Sequence, residues 1–192
     1  MPEPISRFPV PDLEDVPDDV RDRILAVQEK SGFVPNVFLL LAHRPAEFRA
    51  FFDHHDALMD KDVGLTKAER EMIVVATSAA AGCLYCVVAH GAILRIRAKN
   101  PRLADQLATN HRKAEVTPRQ RAMLDFALKL STRGAEVEDA DVAALREHGF
   151  DDDEIWDIGA ITAFFAMSNR LVHLASTPPN DEFYLLGRVP RT

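Results

Sequence analysis

The chain has 192 residues, a net charge of −7, 47% hydrophobic residues and 28% charged residues. That is enough for one domain with a substantial core, or for two small helical units sharing one. The acidic balance argues against nucleic acid or an anionic membrane as the main partner. No run of eighteen apolar residues occurs, so no membrane-spanning helix is expected. The first residues lack the charged and apolar regions of a secretory leader, and a cytoplasmic location is the expectation.

Residues 1–17 hold five of the twelve prolines. Proline fixes φ and lacks an amide donor, so an extended arm is expected there, outside the helical domain of residues 18–177. The arm carries Ile5, Phe8, Val10 and Leu13. A stretch that apolar should lie along a groove, on its own chain or on a neighbouring subunit.

Asp18 to Lys30 reads as an amphipathic helix stopped at Ser31-Gly32. Asn36 can cap a short helix through Ala42, and Pro45 suits the first turn of one reaching about Asp60. Thr66 to Glu69 forms a capping-box pattern for a helix to about Ala80. Gly82 interrupts, and a further helix is expected from near Cys83 to Lys99, with a short segment from Pro101 to Asn110. A second capping box at Thr117–Gln120 opens a helix to about Thr132, and Asp139 to His148 forms another. The acidic run Asp151–Glu154 favours the N-terminus of a long helix to about Ser176 through its dipole. Pro178-Pro179 stop it, and residues 178–192 form a tail. No alternating apolar and polar run survives between turn signals, so the fold class is all-α.

A faint internal echo is present. Leu65 to Glu69 and Phe150 to Glu154 both open long apolar helices, and Glu71–His90 and Glu154–His173 are both nineteen apart.

The chemistry is concentrated in residues 65–99. Cys83, Cys86 and His90 are spaced three and four apart, so on a helix they share one face. Cys83 falls at the expected helix N-terminus, where free amides and the dipole stabilise a thiolate. In one unbroken helix Glu71 would lie roughly 18 Å from Cys83. A reversal at Ala81-Gly82 instead brings Glu71 opposite His90. The carboxylate can then orient the imidazole, and the imidazole can relay a proton for a cysteine. A thiolate beside a second thiol suits reduction of a peroxide through a sulfenic acid and a disulfide. Two other readings use the same residues: a zinc site of Cys83, Cys86, His90 and Glu71, and a redox-silent oligomer that binds a small molecule. A disulfide reductase is a third.

The pattern Glu71-x11-Cys83-x-x-Cys86-x3-His90 on an all-α chain resembles the alkylhydroperoxidase D-like members of the carboxymuconolactone decarboxylase superfamily, most closely their peroxidase-related branch. The resemblance covers about Pro35 to Ala175. It implies two related helical halves and assembly into dimers, trimers or hexamers. It also implies peroxidase activity without metal or organic cofactor, with peroxide as substrate and an external dithiol as reductant. By the same resemblance Cys86 is the peroxidatic cysteine, Cys83 the resolving one, His90 the proton relay and Glu71 the base. One departure is Tyr85, which stands where the best-known member has a second histidine.

Among the remaining candidates, His173 reads as a core histidine, and Trp156, Phe164, Phe165 and Met167 as core or interface. Arg95, Arg97 and Lys99 read as solvated charges favouring a helix C-terminus. His54 and His55 are adjacent and cannot both face one site.

Overall fold

The computed structural model describes residues 4–188, so the first three residues of the arm and the last four of the tail lie outside it. It is built from ten α-helices, with no strand among the described residues.

At the centre is a helical hairpin. α4 (Lys67–Ala80) begins at the Thr66 capping box, in which the Thr66 hydroxyl accepts from the Glu69 amide and the Glu69 carboxylate accepts from the Thr66 amide. Its residues from Glu69 to Ser78 are all buried, because it has neighbours on every side. It ends in a left-handed turn: Gly82 has φ +66°, and the amides of Gly82 and Cys83 donate to the carbonyls of Ala79 and Ser78 at 3.0 and 2.9 Å. This is the pairing of a Schellman motif, and it needs a residue without a Cβ at Gly82. α5 (Leu84–Ala98) therefore starts at once, with Cys83 as its N-cap, and runs back along α4.

α6 (Leu103–Asn110) packs on both helices of this hairpin. It starts at Leu103 and not at Pro101, which lies in the preceding turn. α7 (Pro118–Arg133), α8 (Asp139–Glu147) and α9 (Asp152–Ala175) complete the main core, in which α4, α7 and α9 pack against one another. The Asp151–Glu154 run does more than meet a dipole. Asp151 and Glu154 form a capping box with the same geometry as that of Thr66 and Glu69. Arg119 of α7 joins the two, 3.3 Å from Glu69 and 2.6 Å from Glu154, with its guanidinium 3.7 Å from the centre of the Phe150 ring. By length and composition α9 is apolar enough to cross a bilayer (mean hydropathy 1.2), although polar residues interrupt its apolar stretches. Half of that window is buried inside the fold.

A second apolar cluster joins α1 (Asp18–Ser31), α2 (Asn36–Ala42) and α3 (Pro45–Met59). Asn36 does not cap α2 with its side chain. Its amide donates to Asn180 and its side chain to the Pro178 carbonyl, so it anchors the C-terminal segment instead. The N-terminal arm lies on its own chain: the Arg7 amide donates to the Ala175 carbonyl at 2.9 Å, Phe8 stacks on His43, and Val16 is buried with α1. In the tail, α10 (Glu182–Leu185) buries Phe183 edge-on against Phe33. Arg95 corrects its expected role. It is buried, and its guanidinium donates to the carbonyls of Phe183 and Leu186, clamping α10 onto α5.

Candidate active site

The hairpin does to Glu71 and His90 what the Ala81-Gly82 reversal requires. Nδ1 of His90 lies 2.8 Å from Oε2 of Glu71, and both side chains are almost entirely buried. The hydrogen bond fixes Nδ1 as the nitrogen that faces the carboxylate. Nε2 is left as the nitrogen able to exchange a proton. The Phe165 ring stands edge-on to the imidazole, with centroids 4.7 Å apart, and holds its plane.

Both cysteines are buried and unpaired as thiols, and they share a small cluster with Phe33, Tyr85, Ala89, Ala92 and Val172. The Cys83 thiol is lowered from 9.0 to about 6, chiefly by the hydrogen bond from the Cys86 thiol. The amides of Cys86 and Tyr85 and the charge of His173 lower it further, against the opposing effect of burial. The sulfur makes no cap hydrogen bond of ordinary geometry to α5, so the amides act here as nearby dipoles. Cys86 is pushed up by the same thiol–thiol hydrogen bond, by burial and by the negative charge on Cys83. The shared proton of the pair is thereby favoured on Cys86 and the negative charge on Cys83.

Three residues that the sequence reading passed over belong to this site. Ser168 and Ser78 stand beside Cys86, and their hydroxyls oppose the upward shift of its thiol. Ser78 also donates to Oδ1 of Asn169 at 3.0 Å. Seven-residue spacing from Glu71 puts Ser78 on the same face of α4, and that signal was available. Ser168 comes from α9, and its only signal is the offset of 85 that aligns the two capping boxes and sets Ser168 against Cys83. The third is Phe165, expected first as core or interface, which walls the His90 imidazole. His173 is not a core residue. It is exposed, with Nε2 3.1 Å from the Ala81 carbonyl, and acts on Cys83 through its charge.

Tyr85 is buried, with its phenol raised above its ordinary range by burial. The hydroxyl accepts from the Val37 amide at 3.1 Å, so Tyr85 docks α2 onto α5. Trp156 and Met167 face outward, while Phe164 and Phe165 are core. No group of three or more His, Cys, Asp or Glu side chains is placed to hold a metal ion among the described residues. A recess of about 260 Å³ lies beside the Ala81 turn, lined in part by Asn169, Arg170 and His173. A larger groove of about 810 Å³ between α7 and α8 contains none of the four motif residues.

The carboxymuconolactone decarboxylase family model matches residues 45–108, which include Glu71, Cys83, Cys86 and His90. The solved structure of an alkylhydroperoxidase AhpD core, a peroxidase-related protein from Ralstonia eutropha JMP134, is 68% identical over 98% of this chain and all of that one, with a TM-score of 0.96. This chain belongs to the alkylhydroperoxidase D-like, peroxidase-related branch of the carboxymuconolactone decarboxylase superfamily. A second peroxidase-related protein, from Silicibacter sp. TM1040, is 40% identical over 97% of this chain and 98% of its own, with a TM-score of 0.92. The debrominase Bmp8 in its apo form is 19% identical over 95% of both chains, with a TM-score of 0.77, and shares the alkylhydroperoxidase D-like fold. No curated protein matches the chain.

Proposed function

We propose that this alkylhydroperoxidase D-like protein is a thiol-dependent peroxidase that reduces hydrogen peroxide or organic hydroperoxides. The observation that carries this reading is the pair of buried free thiols, Cys83 and Cys86, in one cluster at the start of the helix that also carries the carboxylate-bound imidazole of His90. The resemblance assigns attack to Cys86, and the resting charge lies on Cys83. A proton transfer within the pair reconciles them: Cys86 gives its proton to Cys83, and the Ser168 hydroxyl supports the new thiolate. Cys86 sulfur then attacks the distal peroxide oxygen. The O–O bond breaks, Cys86 becomes a sulfenic acid, and the leaving alkoxide takes a proton from the His90 imidazolium. The Cys83 thiol condenses with the sulfenic acid, releasing water and closing the disulfide. An external dithiol reduces it, with no metal or organic cofactor in the cycle. Such a pair needs a compartment with thiol reductants, which makes the cytoplasm the proposed location.

The proposed assembly is a homo-oligomer. It is supported by an outward stripe on α9 (Trp156, Ala163, Met167, Leu171 and Leu174), at spacings that keep it on one face. Trp156 alone is 75% exposed.

The test is to treat metal-free reduced protein with limiting cumene hydroperoxide, then count thiols and measure intact mass. Loss of both thiols with loss of two hydrogens is the expected result. A sulfenic acid trapped in Cys83→Ser and not in Cys86→Ser assigns attack to Cys86. Thiols that survive excess peroxide in folded, metal-free protein would end the peroxidase reading.

A further inference from the structure

The Glu71–His90 pair has a neighbour built the same way. On α3, Nδ1 of His55 lies 2.9 Å from Oδ1 of Asp56, and the His55 ring centre is 6.4 Å from that of His90. Phe165 serves as a common wall, edge-on to both imidazoles, and Phe164 closes the other side of His55. Exposure rises along the row, from 12% at the His90 side chain to 28% at His55. In each unit a carboxylate holds Nδ1 and leaves Nε2 for proton exchange. The outer carboxylate is itself held, since Arg23 of α1 donates to Oδ2 of Asp56 at 2.7 Å.

We propose that His55 is the solvent-side station of a proton path to the cysteine pair, exchanging protons with bulk water and passing them to Nε2 of His90. The separation of the two rings is one that a single bridging water spans. The role rests on the peroxidase reading, and the chemistry of that reading requires such a path. The resting pair carries a thiolate, so each turnover imports one proton for the leaving alkoxide, and reduction of the disulfide by the external dithiol releases one. Within a turnover the Nε2–H bond of His90 breaks as the alkoxide O–H forms, and His55 then restores the His90 proton.

The groups facing His55 are few. Its own helix supplies Asp56, α1 supplies Arg23, α5 supplies His90 with Glu71 of α4 behind it, and α9 supplies only phenylalanines. His54 turns its ring to Phe164.

The experiment compares wild type, His55→Ala and His55→Gln by two readouts. The first is solvent exchange of the His90 Nε2 proton, followed by nitrogen NMR of the imidazoles. The second is the rate of peroxide-driven disulfide formation across pH at low buffer concentration. In both variants exchange at His90 should slow about tenfold and the rate should fall by a similar factor. Added imidazole should restore both in His55→Ala, which a purely structural role would not allow. Exchange at His90 that is equally fast in all three proteins overturns the proposal. Slowed exchange together with a wild type inert to peroxide would keep the proton path and reject the peroxidase reading.

Discussion

Glu71 and His90 are nineteen residues apart in sequence, yet the carboxylate and Nδ1 meet at 2.8 Å across the α4–α5 hairpin with little access to water. A buried hydrogen bond of this kind fixes which imidazole nitrogen faces the carboxylate and holds the plane of the ring. Glu71→Gln keeps the shape and removes the charge. We expect peroxide-driven disulfide formation to slow by roughly 10²-fold, as measured by stopped-flow, with the count of reactive thiols unchanged. His90→Ala should cost at least as much.

The thiol pair predicts an unusual titration. Thiolate absorbance should rise by one equivalent with a midpoint near pH 6, and Cys86 should stay protonated well above that. The hydrogen bond from Cys86 is the largest cause of the low value, so Cys86→Ala, which removes the donor, should move the Cys83 midpoint back toward 9.0. The sign for stability follows by linkage. A thiol whose pKa is depressed on folding binds fewer protons in the native state. It therefore stabilises fully above 9.0 and loses that contribution as pH falls toward 6. Cys86, raised on folding, opposes it only at alkaline pH. Thermal melts between pH 9 and 6 should show wild type losing its advantage over Cys83→Ser.

Much of this was legible in the chain because it is local. Capping boxes at Thr66 and Thr117, the glycine turn at Gly82 and the three-and-four spacing of Cys83, Cys86 and His90 all act within a few residues. The Glu71–His90 contact was legible because one short turn separates the two helices. What escaped depends on packing between distant helices. Ser168 reaches Cys86 from α9, Arg95 is buried by a tail that arrives ninety residues later, and Asn36 is recruited by Asn180. His173 misled because an apolar sequence neighbourhood does not say which face of a helix a residue occupies. It lies on the exposed side of α9, as Trp156 and Met167 do.

Gly82 should tolerate substitution by volume and resist it by backbone. A Cβ there meets nothing within 4 Å, so the cost of Gly82→Ala is that of a left-handed φ, about 1 kcal/mol. Because Cys83 closes the same turn, the variant should also raise the Cys83 thiol toward its ordinary range. Urea denaturation and the thiolate titration read the two effects separately. An unchanged titration with reduced stability would mean that the turn supports the fold without tuning the sulfur.

Arg70 tests the frame that holds α4 in place. It is fully buried, and its guanidinium donates to the carbonyls of Leu58, Val63 and Leu65 at 2.7, 2.9 and 3.1 Å and to Asp157 at 3.0 Å. One side chain thus closes the α3–α4 loop and ties it to α9. Arg70→Leu leaves three carbonyls and a buried carboxylate without their donor, a loss of about 3–5 kcal/mol for an ion of this kind. Lys61 still pairs with Asp157 at 2.7 Å, which places the expected cost near the lower end of that range. Urea denaturation should show the loss, and the combined Arg70→Leu, Asp157→Leu variant should recover part of it, because no buried carboxylate is then left with only the half-exposed Lys61 as its cation. If the double variant is less stable than Arg70→Leu alone, the carbonyl contacts and not the ion pair dominate, and α4 is held chiefly by closure of its preceding loop.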